Sequence, residues 1–161
     1  MRTIVKHGQP VELSIWRTER LRNHALPAHE RKEGLECDYD ALRSCAEVLA
    51  AVEDRLHEEQ GGLCAYTGRG LSLEPADPSV GAARQVGFHL EHLKPRKHCT
   101  AGPTACYGED ADYHNLAACW PPPNRKSKEP YGAHPKDHWP GPTEEHLFVS
   151  PLRPGCEARF K

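Results

Sequence analysis

Long apolar runs are missing from this sequence. Nothing in it approaches the roughly 18 consecutive apolar residues that a membrane-crossing helix needs. The first residues, Met1 to His7, include Arg2 and Lys6 and have no apolar stretch behind them, so no secretory signal is read and a cytoplasmic location is expected. Aromatic residues make up only 7% of the chain, whereas Pro occurs 15 times and Gly 13 times. That balance argues against a large layered sheet and for short elements joined by many loops. Neither G-x-x-x-x-G-K-[ST] nor G-x-G-x-x-G occurs, so no loop of those kinds can cradle a nucleotide. The seven cysteines (Cys37, Cys45, Cys64, Cys99, Cys106, Cys119, Cys156) never form a C-x-x-C pair, so a complete tetrahedral zinc knuckle is not spelled out. An odd count in a chain read as cytoplasmic points to free thiols or metal ligands rather than disulfides.

What is present suits one domain: 161 residues give a real but modest core. The net charge of -2 argues against a general nucleic-acid coat protein. The distribution says more than the total. Between Arg84 and Lys136 there are eight Lys/Arg against five Asp/Glu, a local net of +3, leaving -5 for the rest. The same segment holds five of the eleven histidines. A basic, His-rich centre in an acidic frame would meet a polyanion at one place only. On charge alone, chance unevenness explains it equally well.

Along the chain, Pro10 and Pro27 interrupt a polar opening stretch in which a short helix fits around Glu12–Asn23. The clearest helix is expected from about Asp38 to Gln60, where Leu42, Cys45, Leu49, Val52 and Leu56 form a core-facing stripe at three- and four-residue spacing. Asp38 suits its N-cap and Gly61-Gly62 its end. Gly62 to Gly68 reads as a compact turn, followed by a Pro/Gly/Ser-rich stretch to about residue 82. Gln85–Leu93 alternates like a strand that Pro95 ends. A loop over Cys99–Asp112 leads to a second short strand or extended turn at Tyr113–Trp120, which Pro121-Pro122-Pro123 breaks. No internal repeat and no second domain are visible.

The string that carries chemistry is Phe88-His89-Leu90-Glu91-His92-Leu93-Lys94-Pro95, followed by Asp112-Tyr113-His114-Asn115-Leu116 and then Cys119. An acidic residue beside a histidine at a strand end can divide labour. The carboxylate takes a hard divalent cation through oxygen, and the unmetallated imidazole deprotonates water for attack on phosphorus. A later Asn can orient that imidazole or polarise the scissile phosphate. For Glu91-His92 the plainer alternative is a surface ion-pair neighbour, and for Asn115 an ordinary turn residue. Alternation puts His89 on the face of Glu91, opposite His92, as a packed histidine more readily than as a ligand. His89-x-Glu91 also matches half of a zinc-deaminase signature, but the required P-C-x-x-C is absent.

Glu91-His92-x-x-Pro95, then Asn115-Leu116, then Cys119, resembles the E/D-H-x-x-P…N-L…C pattern of HNH nucleases. Met1–Lys6, Glu59–Tyr66, Phe148–Leu152 and Cys156–Phe160 resemble one branch, the PtuB-like HNH proteins of retron and Septu antiphage systems. The resemblance implies an α+β, helix-rich single domain around a small ββα-metal core. Residues 1–60 would be an N-terminal helical part, 61–140 the catalytic core, and 141–161 a tail that stops where relatives continue. It implies metal-dependent cleavage of phosphodiester bonds with Glu91 as a metal ligand, His92 as general base and Asn115 as orienting residue. The ion would be Mg2+ or Mn2+. The third motif departs from the family: after Cys119 the chain reads Trp120-Pro121-Pro122-Pro123-Asn124-Arg125-Lys126, so either Asn124 or, by a slight preference, His134 supplies the second ligand. Lys94, Lys126, Lys128 and Lys136 are candidates for phosphate contacts. Cys64 and Cys119 stand where relatives staple two segments with zinc, but the second thiol of each pair is absent, so structural zinc is doubtful. The implied partners are nucleic acid, DNA more than RNA, and an ABC/SMC-like ATPase (PtuA-like) in a hetero-oligomer. The competing reading is a catalytically silent interaction module of the same complex.

Overall fold

The computed structural model describes residues 3–76, 79, 81–100, 105–122, 133–136, 139–141 and 143–159, with backbone alone for His134 and Pro135. Helix α1 runs Val11–Ala25, directly after Pro10, and buries Leu13 and Trp16. It is the short helix anticipated around Glu12–Asn23, slightly longer at each end. The helix expected as one piece from Asp38 to Gln60 is two helices, α2 (Tyr39–Ser44) and α3 (Ala46–Glu59). Asp38 caps α2 by accepting the Ala41 N–H at 2.8 Å. The break lies at Cys45, whose φ of -102° and ψ of 87° are not helical. It shifts the phase of the apolar stripe: Leu42 stays buried, but α3 buries Val48, Val52 and Leu56 at four-residue spacing, while Cys45 and Leu49 are only half-buried.

The sheet part is small. Strand β1 (Leu73–Glu74), in the stretch read from sequence as Pro/Gly/Ser-rich, pairs antiparallel with β2 (Gln85–Val86). The long strand expected over Gln85–Leu93 is therefore divided, since β3 (His89–His92) belongs to a different pair. Gly87 lies at the division, where its N–H reaches the Ser72 carbonyl at 2.9 Å. A Cβ there would meet the Ser72 side chain and crowd the Ser72 carbonyl at 3.2 Å, so the close backbone approach favours glycine. Strand β4 (Leu116–Cys119) pairs antiparallel with β3, setting His89 opposite Cys119, Glu91 opposite Ala117 and His92 opposite Leu116. The loop between these strands holds helix α4 (Arg96–Thr100) and 3-10 turns at Glu109–Ala111 and Tyr113–Asn115. Further on, only a short helix α5 (Ala133–Lys136) and two more 3-10 turns are described.

The β3–β4 hairpin is tied to α3 by one buried side chain. Gln60, 1% exposed, accepts the Ala118 N–H and donates to the Ala118 carbonyl, both at 2.8 Å. An amide does this where an apolar residue could not, because an inward-facing strand backbone needs both partners. The chain is thus a mixed α+β domain in which helices from the first 60 residues pack on a hairpin carrying Glu91 and His92. Among the described residues no helix is long and apolar enough to cross a membrane.

Candidate active site

Side chains alternate across β3, so His89 and Glu91 share one face of the hairpin and Leu90 and His92 the other. On the first face Glu91 Oε2 lies 3.5 Å from His89 Nε2, and Glu91 Oε1 lies 3.0 Å from Lys136 Nζ. Lys136 also donates to the His92 carbonyl at 2.6 Å. Its side chain is 5% exposed and that of Glu91 17%, so this ion pair is largely shielded from water. His89 donates Nδ1–H to the Pro121 carbonyl, leaving Nε2 towards the carboxylate. Burial disfavours the charged imidazole, but the Glu91 carboxylate and the Pro121 carbonyl outweigh it and raise the His89 pKa.

Behind this face lie two buried thiols, Cys64 from the turn after α3 and Cys119 from β4. The Cys119 thiol hydrogen-bonds to Cys64 and, with Thr67 and the Trp120 N–H at 3.3 Å, brings the Cys64 pKa down to about 5 against the cost of burial. Burial first, then the same partner, pushes Cys119 well up. The two residues named as a zinc pair are therefore neighbours. Among the described residues, however, no three His, Cys, Asp or Glu side chains converge to hold a metal ion.

On the other face His92 is buried, with its ring edge-on to Tyr39 at 4.5 Å between centroids. Its Nε2 lies 2.8 Å from the Asp110 carbonyl. A carbonyl only accepts, so Nε2 carries the proton and Nδ1 keeps its lone pair. Burial lowers the pKa of this imidazole, favouring the neutral form that a base requires.

Asn115 makes no bond to His92. It clamps the loop instead: Oδ1 accepts the Lys94 N–H at 2.7 Å, and Nδ2 reaches the Lys94 carbonyl at 3.2 Å, Cys99 Sγ at 3.3 Å and the Glu109 carbonyl at 3.3 Å. Its own carbonyl accepts the Leu93 N–H at 2.8 Å. The segments leaving β3 and entering β4 are pinned together one residue from His92 and its register partner Leu116. Lys94 pairs with Glu109 at 2.6 Å. It lines, with Pro95, His114, Asn115, Phe148 and Leu152, a cleft of about 320 Å3.

The structure thus places His92, Asn115 and Lys94 near one end of the hairpin and turns Glu91 to the opposite face, beside Lys136. Asn124, Lys126, Lys128 and the side chain of His134 lie outside the described residues. Two groups went unnoticed in the sequence. Asp110 stands in the charged run Glu109-Asp110-Ala111-Asp112, which reads as solvated loop, yet its side chain is 2% exposed. Tyr39 gave no signal beyond its place after an N-cap.

Comparison with known proteins gives one relative to set against this geometry. A protein named "Retron Vc95 putative HNH endonuclease", from Vibrio cholerae serotype O1 biovar El Tor, is 30% identical over 113 residues, which make up 70% of this chain and 43% of that protein. The chain therefore spans less than half the length of this relative. No protein-family model matches the chain, and no solved structure does. The similarity supports the HNH endonuclease family.

Proposed function

We propose that the chain is a metal-dependent HNH endonuclease that hydrolyses phosphodiester bonds with His92 as general base. The observation that carries this reading is the buried, neutral His92 held through Nε2 at the end of a hairpin beside Glu91. With Nε2–H committed to the Asp110 carbonyl, Nδ1 accepts the proton of a water as its oxygen bonds to phosphorus. The bond from phosphorus to the leaving oxygen then breaks, giving two nucleic-acid ends. Asn115 keeps both ends of the intervening loop in register, which makes it a positioning residue for His92. Lys94, at the rim of the cleft, would meet a phosphate oxygen.

The donor set on the opposite face suits a cation. Glu91 already draws an ammonium, Lys136, to 3.0 Å and has an imidazole beside it. Glu91 would hold a divalent ion such as Mg2+ or Mn2+, with His134 or Asn124 completing the site. When bound, such an ion would supply positive charge to a phosphate that reaches the end of the hairpin where Glu91 and His92 adjoin. Structural zinc at Cys64 and Cys119 forms no part of the proposal. Function as the nuclease effector of an antiphage system, with an ABC/SMC-like ATPase as partner, agrees with the retron named in the relative and with the PtuB-like blocks. Few exposed phosphate contacts mean little counterion release, so binding to nucleic acid alone should be weak.

The test is a nicking assay on duplex DNA, single-stranded DNA and RNA, with and without EDTA and with and without the ATPase. His92→Ala should lower turnover about 10²- to 10⁴-fold with the circular dichroism spectrum unchanged, and EDTA should stop cleavage. Near wild-type turnover in His92→Ala would reject the mechanism. One observation favours a second reading: the carboxylate meant for a metal is already paired with Lys136, as in a silent interaction module. That reading gains if wild-type and His92→Ala proteins behave identically in every arm, including the cell.

A further inference from the structure

We propose that Asp110 is a positioning residue for His92: its buried carboxylate fixes the turn whose carbonyl holds the imidazole in the tautomer that leaves Nδ1 free. The kinetic part of this proposal rests on the nuclease reading; the tautomer part does not.

A carboxylate with 2% of its side chain exposed is costly to bury unless it is paired and hydrogen-bonded. The partners of Asp110 come from two elements distant in sequence. The Tyr39 N–H at the start of α2 donates to Oδ2 at 3.1 Å, and Arg96 Nε in α4 stands 3.6 Å from the same oxygen. Arg96 is itself held by both oxygens of Asp40, at 3.2 and 2.8 Å, with its guanidinium 5.2 Å from the Tyr39 ring centroid. The Tyr39 ring in turn meets His92 edge-on. Carboxylate, guanidinium and phenol thus make a frame whose one contact with the imidazole nitrogens is the Asp110 carbonyl.

The turn that presents this carbonyl is held at its ends by Arg17, which donates to the Gly108 carbonyl at 3.1 Å and pairs with Asp112 at 2.6 Å, and by the Lys94–Glu109 pair, but these ties leave Asp110 itself to its own side chain. The turn spans three residues, Glu109–Ala111, follows Gly108 at a φ of 79° and has no side-chain cap. Its backbone ties are Glu109 N–H to the Cys106 carbonyl and Asp112 N–H to the Glu109 carbonyl, both at 3.1 Å. Asn115 holds the Glu109 carbonyl, one residue short of the carbonyl that meets His92. The Asp110 carboxylate is the anchor on the residue itself. An imidazole carries its proton on either nitrogen, and the partner of one ring nitrogen decides which. Without a fixed acceptor at Nε2, the ring would sample both tautomers and lose orientation towards the attacking water.

Histidine-labelled protein observed by long-range 1H–15N correlation tests this directly. The His92 signals are assigned by their loss in His92→Gln. Wild type should show a slowly exchanging Nε2–H and an unprotonated Nδ1. Asp110→Ala should lose the slow Nε2–H and average between tautomers, with kcat falling about 10²-fold and KM unchanged. Asp110→Asn, which keeps an acceptor for the Tyr39 N–H, should retain the Nε2–H signal. Arg96→Gln alters a side chain that is 39% exposed; it should speed Nε2–H exchange, and it decides the matter if Asp110→Ala fails to fold. A single, slowly exchanging tautomer in folded Asp110→Ala, or unchanged exchange in Arg96→Gln, overturns the proposal. If the tautomer responds as expected but no form of the chain cuts nucleic acid, the positioning role stands and the nuclease reading falls.

Discussion

Along β3 the side chains enter two environments. On one side His89 and Glu91 meet Lys136 and the thiols of Cys64 and Cys119, a face where charge is balanced by charge. On the other, Leu90 and His92 meet α2 and the Glu109–Ala111 turn, and the hydrogen bonds to the polar atoms come from backbone: His92 has one carbonyl and Asp110 one amide, with the Arg96 guanidinium beside it. The hairpin thus keeps a charge-paired carboxylate and a backbone-held imidazole on adjacent residues, back to back.

The contrast breaks most visibly at Glu91. Removing its carboxylate leaves the Lys136 ammonium buried without a countercharge, so Glu91→Ala should lose about 3 kcal/mol of stability. Glu91→Ala combined with Lys136→Met should recover much of that loss. Urea denaturation of the four proteins in a double-mutant cycle measures it, and additive losses would show that the pair is not coupled. On the backbone-held face Asn115→Ala should cost about 2 kcal/mol, because the Lys94 N–H and two carbonyls lose a partner together. Amide exchange at Lys94 should quicken with it. A Lys94 amide that stays as protected as in wild type would show that the loop holds without Asn115.

The smallest effect comes from behind the loop. Lys6 donates to the carbonyls of Tyr113 at 3.1 Å and Leu116 at 2.9 Å, and burial brings its pKa down from 10.5 to about 8. Lys6→Met should cost about 1 kcal/mol near neutral pH through those two bonds. Between pH 8 and 10.5 the unfolded chain binds a proton that the folded chain has shed. The stability of wild type relative to Lys6→Met should therefore rise across that window and be flat below it. Urea midpoints of both proteins over the pH series check the slope, and parallel curves would place Lys6 in water.

Much of this arrangement was legible in the residues. Alternation put His89 with Glu91 and apart from His92, and the E-H-x-x-P and N-L blocks located both strands of the hairpin. α1 and the Asp38 cap followed from proline placement and cap chemistry. The break at Cys45 was not legible: its flanking residues are ordinary helix formers, and only packing against the rest of the chain chooses between one helix and two. Strand β1 was too short, at two residues, to show a period. The burial of Asp110 and the capture of Glu91 by Lys136 depend on contacts across 71 and 45 residues, which no local pattern records. Asn115 was assigned to the imidazole or the phosphate, whereas its amide is committed to the loop. An amide can serve either purpose, and the sequence carries no mark of which.

The strap formed by the first described residues has a consequence for the cooperativity of the fold. Ile4 N–H reaches the Pro151 carbonyl at 2.7 Å, Thr3 reaches Glu157, and Lys6 closes on the carbonyls beside β4. These contacts span more than 100 residues, up to 154 for Thr3 and Glu157, so forming them costs a closure entropy that only the packed rest of the chain offsets. Lys6 meets carbonyls on both sides of Asn115, so the strap and the turn that carries Asn115 hold one another in place.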